Sequence, residues 1–352
     1  MNGPSKWNSI ASLVPEPVMS RLLRKLRVLL DGTPPKVGAL RIDPALKDYL
    51  SALETRVAVL EKRGTKSADQ PWNQALHVPS PLMHQRPVSE PFMPYSTCSA
   101  ADLFHPRATE IGALFNSPAV FHRKFWEWVF ILNGALSNDI GAAKKALGFG
   151  VGTEPLPAVL AKLGAQVVAT DAPPEIGECN GWTRTDAFAN SAEKLPYAGI
   201  VDKDIFKHRV QYRTADMNNI AEDLAGFDFC WSSCCLEHLG SLQHGIDFIV
   251  NSVEKTLKIG GIACHTTELN LSSNDQTVES GPTVIYRKRD LEALVALLRD
   301  RGHEVDDIRI APDAHHLDGY VDYPPYAGTP HLKLQLAGYA CTSVGIIVKR
   351  GR

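Results

Sequence analysis

Ala146-Leu147-Gly148-Phe149-Gly150-Val151-Gly152-Thr153-Glu154-Pro155 is the stretch of this 352-residue chain that most constrains its fold. It closes an apolar run beginning at Lys145 and opens a helical pattern, Leu156 to Leu163, which Gly164 terminates. A glycine-rich turn between a strand and a helix is the context a nucleotide-binding loop requires. Glycines let the backbone turn tightly and approach a ligand closely. The helix start adds free N–H groups and a partial positive charge suited to an anion. Thr153 is placed to cap that helix, and Pro155 fits its first turn. A dinucleotide loop asks for G-x-G-x-x-G. Here the spacing is G-x-G-x-G, and Thr153 stands where the third dinucleotide glycine should fall. That argues against NAD and for a smaller ligand.

The rest of the chain supports an α/β fold. Strands are expected at Lys145–Phe149, Gln166–Thr170, Val210–Thr214, Phe227–Trp231, Ile262–Thr266, Val305–Ile310 and Tyr339–Val348. Helical segments separate the early ones, which implies a mostly parallel sheet covered on both faces. The last two strands are candidates for an antiparallel hairpin. Asp171 ends the second strand 19 residues after Gly152, near the roughly 20 expected of a ribose-binding acid. Asp216, with Met217 beside it, closes the third. Phe227-Asp228-Phe229-Cys230-Trp231-Ser232 makes the fourth, followed by Leu236-Glu237-His238 and by Leu257-Lys258-Ile259-Gly260-Gly261 before the fifth.

With these pieces in order, the chain from Phe121 to Arg352 resembles the class I S-adenosylmethionine-dependent methyltransferases. The resemblance implies a Rossmann-like seven-stranded sheet whose last strand is antiparallel, and S-adenosyl-L-methionine as cofactor. It implies that the glycine loop borders the methionine part, that Asp171 holds the ribose hydroxyls, and that Asp216 and Met217 frame the adenine. The implied cofactor set is Gly148, Phe149, Gly150, Gly152, Asp171, Asp216, Met217 and Ser232. The aromatic helix with Phe125, Trp126, Trp128 and Phe130 falls where such enzymes often place a lid, although core packing also accounts for those rings.

Methyl transfer from a sulfonium needs alignment of donor and acceptor and exclusion of water. An oxygen acceptor also benefits from a general base, expected at the carboxyl ends of strands four and five. His265 with Glu268 is the favoured pair, and His238 the further candidate. No metal is expected: Cys230, Cys234, Cys235 and His238 match no standard zinc spacing. A polar cluster in the tail (His315, His316, Asp318, Asp322-Tyr323-Pro324-Pro325-Tyr326 and His331) suits the rim of a polar acceptor site. Together with the N-terminal features below, the chain resembles bacterial enzymes that modify surface glycans or their lipid-linked precursors. The expectation is therefore O-methylation of a sugar hydroxyl. Ser232 to Gly240 also resembles a segment of cyclopropane fatty-acid synthases, which keeps a lipid or small-molecule acceptor open. A cofactor-free scaffold is the third reading.

Composition bounds these readings. The chain is 44% hydrophobic and 22% charged with a net charge of −2, ordinary for a globular protein. Residues 1–70 hold 12 Lys and Arg against 7 Asp and Glu, so the acidic body, net −7, is no electrostatic nucleic-acid binder. Residues 17–30 pattern as a basic amphipathic helix that can meet an anionic membrane, a partner or its own domain. Residues 44–63 carry a short heptad seam (Leu46, Leu50, Leu53, Val57, Leu60), favouring homo-oligomerisation over a helix hairpin. The expected organisation is 1–70 basic helix and coiled coil, 71–107 proline-rich linker or strap, and 108–352 methyltransferase domain. Seven cysteines without a C-x-x-C pair, no long apolar run and no signal-peptide layout suggest a cytoplasmic protein, peripheral to the inner membrane at most.

Overall fold

The computed structural model describes residues 91–175, 191–195 and 197–352. The basic helix read at 17–30, the heptad segment at 44–63 and the strap up to residue 90 lie outside them. Three helices come first: α1 (Ala100–Phe104), α2 (Pro106–Leu114) and α3 (Arg123–Ser137). They are followed by β1 (Lys145–Phe149), α4 (Leu156–Lys162), β2 (Gln166–Asp171), α5 (Lys203–Arg209), β3 (Val210–Thr214), β4 (Phe227–Ser233) and α6 (Leu242–Asn251). Then come β5 (Leu257–Asn270), α7 (Lys288–Asp300), β6 (Glu304–Val305), β7 (Val321–Asp322), β8 (Lys333–Leu336) and β9 (Tyr339–Lys349).

The strands form one nine-stranded sheet in the order β3-β2-β1-β4-β5-β9-β8-β7, with β6 also paired to β9. β3, β2, β1, β4 and β5 are mutually parallel, while β9 runs antiparallel to β5 and to β6. The Rossmann-like sheet implied by the sequence is present, but two strands longer. β7 and β8 were missed because neither carries an apolar run; β8 exists by pairing with the first residues of the long β9. The strand expected at Val305–Ile310 shortens to Glu304–Val305. Residues 307–311 instead exchange hydrogen bonds with Ser96 and Thr97, including Ser96 N–H to the Arg309 carbonyl at 2.7 Å. The end of the expected strap is thus tied down, with Cys98 N–H donating to the Ser343 carbonyl at 2.9 Å.

Both faces of the central strands are apolar, as crossover helices require. Ala146, Phe229, Trp231, Ile262 and Cys264 face one core with α3 and α4. Leu147, Phe149, Cys230, Ala263 and Val348 face the other with α6 and α7. α3 lies close on the sheet because two glycines make room. A Cβ at Gly134 would stand 2.5 Å from Cys264 Sγ, and one at Gly345 of β9 would stand 2.3 Å from the Phe130 ring. Phe125, Trp126 and Phe130 are therefore core residues, not a lid. Among the described residues, no helix is long and apolar enough to cross a membrane.

Candidate functional site

A cleft of about 680 Å³ opens at the carboxyl ends of β1, β2, β3 and β4. This is where open α/β sheets bind ligands. β1 stops at Phe149 because Gly150 and Gly152 take φ of +58° and +48°, a region side chains rarely enter. A Cβ at Gly150 would also stand 2.6 Å from Cys235 Sγ. The Gly152 N–H donates to Asp171 Oδ2 at 3.1 Å, and the Ala172 N–H donates to Oδ1 at 2.8 Å. Loop and acid are thereby held together on the cleft wall. Asp216 Oδ1 accepts from the Asn218 N–H at 2.9 Å, and Met217 and His238 complete the expected residues that line the cleft.

Glu154 also lines it. The Trp231 indole N–H donates to its Oε1 at 2.6 Å, and burial pushes the carboxyl up to about 8. That carboxyl is mostly protonated at neutral pH, and a cation bound beside it would favour its ionised form. Thr153 does not cap α4, whose cap position is Pro155 with no side-chain bond. The capping role expected of Thr153 is therefore not taken up. The signal for the acid was present in the quoted stretch, where Glu154 stands two residues after Gly152.

Three expected cofactor residues lie off the cleft. Gly148 is a packing glycine: a Cβ there would stand 2.3 Å from the Trp231 ring. Phe149 is fully buried, edge-on to Phe248 at 5.1 Å. Ser232 is buried and bonded to His265, and its neighbour Ser233 reaches the cleft instead.

His265 is not placed to act as a base. Its Nε2 lies 2.9 Å from Ser252 Oγ, and that hydroxyl donates its proton to the Ile249 carbonyl. Nε2 therefore carries the ring proton, and Nδ1 accepts from Ser232 Oγ at 2.8 Å. Burial pulls its pKa down to about 3. Strand alternation aimed it into the α6 core, against Phe248. His238 does reach the cleft, and its Nδ1 lies 2.9 Å from the Pro282 carbonyl. A carbonyl only accepts, so Nδ1 bears the proton and the neutral ring has its lone pair on Nε2.

Glu268 is buried behind the cleft, where Arg123 Nη1 reaches its Oε1 at 2.7 Å and its Oε2 has no donor. Burial raises its pKa, with Arg123 opposing. The nearby Glu127 of α3 has the opposite balance. Lys124 (2.8 Å), Arg123 (3.2 Å), Ser233 (3.0 Å), Cys234 (3.1 Å), Thr266 and Ser343 all donate to it. Although its burial pushes upward, Lys124 and Arg123 hold the carboxyl at about 2. Lys124 and Trp128 extend from α3 into the cleft. Trp128 is the one ring of the expected lid that reaches the cleft, whereas sequence spacing could not find Lys124, because α3 lies outside the strand-loop-helix pattern. In the tail, His331 Nδ1 lies 2.7 Å from Asp322 Oδ2, and its ring stacks on His122 at 4.7 Å.

No protein-family model matches the chain, and no curated protein matches it. Solved structures resemble it at low identity and low TM-score. A Listeria monocytogenes protein described as a candidate S-adenosylmethionine-dependent methyltransferase is 14% identical at a TM-score of 0.40, over 65% of this chain and 98% of that one. A magnesium protoporphyrin IX methyltransferase from Synechocystis, crystallised with S-adenosylhomocysteine, is 12% identical at 0.35, over 63% and 80%. A (4+2) cyclase is 17% identical at 0.36, over 57% and 70%.

Proposed function

We propose that the chain is an S-adenosylmethionine-dependent methyltransferase. The observation that carries this reading is the donor set on one cleft wall: a left-handed glycine loop, the ribose-type acid Asp171 hydrogen-bonded to it, and a buried acid, Glu154. Among the described residues Glu154 has no ion-pair partner, so a ligand bearing an ammonium or sulfonium group suits it. A pyrophosphate does not. The cleft volume also lies within the range of about 300–1,000 Å³ usual for small-molecule sites. Gly150 and Gly152 would border the methionine part, Asp171 the ribose hydroxyls, and Asp216 with Met217 the adenine.

Bound there, the cofactor supplies an electrophilic methyl group. The chain's own contribution is to orient the donor through Asp171 and Glu154 and to limit water through Trp128. His238 accepts a proton at Nε2 from an acceptor hydroxyl, which is general-base work suited to a histidine. For the acceptor, we read a sugar hydroxyl on a glycan or lipid-linked glycan precursor. Support comes from the polar side chains that line the cleft, Lys124, Asn218, Ser233 and His238. Exposed tyrosines at 323 and 326 add stacking surface. Peripheral membrane contact through 17–30 and self-association through 44–63 fit that location.

Calorimetric titration with S-adenosylmethionine and S-adenosylhomocysteine tests the cofactor. Binding is expected to fall about 10- to 100-fold in Asp171→Ala, the loss of one or two hydrogen bonds to a charged group. Well-folded protein that binds neither molecule would favour the scaffold. Mass spectrometry of glycan, lipid and phenol acceptors then tests the substrate, and turnover of lipids alone would overturn the glycan reading.

A further inference from the structure

Behind the cleft, Cys234 Sγ and one carboxylate oxygen each of Glu237 and Glu268 lie within 4.8 Å of one another. Glu237 and Glu268 are only 1% and 3% exposed, whereas Cys234 reaches the cleft. We propose that these three side chains form a binding site for a zinc-type divalent cation.

Three features support this. The first is the buried Glu268 Oε2, which has no donor although Oε1 is paired with Arg123. A buried carboxylate oxygen is costly unless something meets it, and a cation within reach of two other anionic ligands does so. The second is charge. Glu127, Glu237 and Glu268 face Arg123 and Lys124, which leaves one excess negative charge in a buried cluster. A metal displaces the Cys234 proton, making the excess two, and a divalent cation neutralises it.

The third feature is the outer arrangement. Thr267 Oγ donates to Glu237 Oε2 at 3.0 Å, and Arg123 Nη1 donates to Cys234 Sγ at 3.4 Å. Such bonds orient first ligands in metal sites. One thiolate and two carboxylates favour zinc or a similar borderline ion over magnesium or calcium. Three protein ligands leave a fourth position for water or substrate, as catalytic zinc sites do. Cys234 carries φ +49°, and this geometry turns it from the end of β4 toward α3. The site differs from the cysteine-histidine set considered from sequence, since Cys230 faces the opposite core.

The cation's use in catalysis, unlike its binding, rests on the methyltransferase reading. An acceptor hydroxyl at the fourth position becomes more acidic and releases its proton to His238 or water. Its oxygen then bonds to the methyl carbon as the sulfur–carbon bond breaks, which converts the sulfonium to a thioether.

The test uses the full-length chain, stripped with chelator, dialysed against zinc and analysed by elemental mass spectrometry. One zinc per chain is expected, lost in Cys234→Ser and in Glu268→Gln and kept in Cys235→Ser. Cobalt in its place should give a thiolate charge-transfer band that Cys234→Ser abolishes. Less than one zinc in wild-type protein, a cobalt spectrum without that band, or zinc retained by both variants would each overturn the site. The wild-type measurements stand even where a variant fails to fold. Calorimetry with S-adenosylhomocysteine on zinc-free protein separates failure of this site from failure of the methyltransferase reading.

Discussion

On the β1–β2–β3 side of the sheet's carboxyl edge, the groups that meet are near neighbours in the chain. Gly152 reaches Asp171 across 19 residues, and Thr170 Oγ reaches the Gly148 carbonyl across 22. On the β4–β5–α3 side, Glu127 gathers Ser233, Thr266 and Ser343 from 106, 139 and 216 residues away. The first side is a backbone device, made by glycine dihedrals and main-chain donors. The second is a buried ionic network whose members share no local pattern. One half of the cleft therefore tolerates few changes of backbone shape, and the other few changes of charge.

The largest expected effect tests the second half. Glu127→Ala leaves the half-buried Arg123 and Lys124 with less compensation and should cost about 3 kcal/mol of stability in denaturant unfolding. In zinc-free protein Glu268→Gln should cost less, since the amide keeps an oxygen for Arg123 and Oε2 has no donor to lose. Equal losses would erase the distinction between the two carboxylates.

Next come the glycines of the first half. Gly148→Ala drives a methyl into the Trp231 ring and should destabilise by about 1–3 kcal/mol, with cofactor affinity kept in the folded fraction. Gly150→Ala strains a positive φ for about 1 kcal/mol and should instead abolish cofactor binding. Unfolding and calorimetry on the two variants separate packing from binding.

The last effect is absent at neutral pH and concerns the histidine that sequence favoured as base. Its folded pKa, about 3, lies below its ordinary value of 6.5, so the folded state binds fewer protons than the unfolded state. His265 stability is complete above pH 6.5 and is lost as pH falls toward 3, at about 1.4 kcal/mol per pH unit. Unfolding curves from pH 7 to 5 should flatten in His265→Asn. A pH–rate profile tracking His265 in place of His238 would contradict the buried tautomer.

β1 and β3 match their expected bounds, and Gly150, Gly152 and Asp171 meet as their spacing implied, because parallel strands joined by short loops carry their geometry locally. Gly148, Phe149 and Ser232 belong to the expected motif but lie off the cleft, and His265 turns into the α6 core. Which face of a strand a side chain takes, and what large ring fills the space beside it, depends on partners elsewhere. Trp231 occupies the volume over Gly148, and Ser252 closes the second nitrogen of His265.

The residues alone set the alternation of strands and helices, the left-handed loop and the acid that answers it. Each follows from dihedral preference, apolar periodicity and short spacing, which act within a few tens of residues. Long-range packing placed α3 on the sheet through Gly134 and Gly345, brought Lys124 and Trp128 to the cleft, and set Cys234, Glu237 and Glu268 side by side. Those juxtapositions depend on close packing and on the pairing of buried charge, and neither leaves a trace in local sequence.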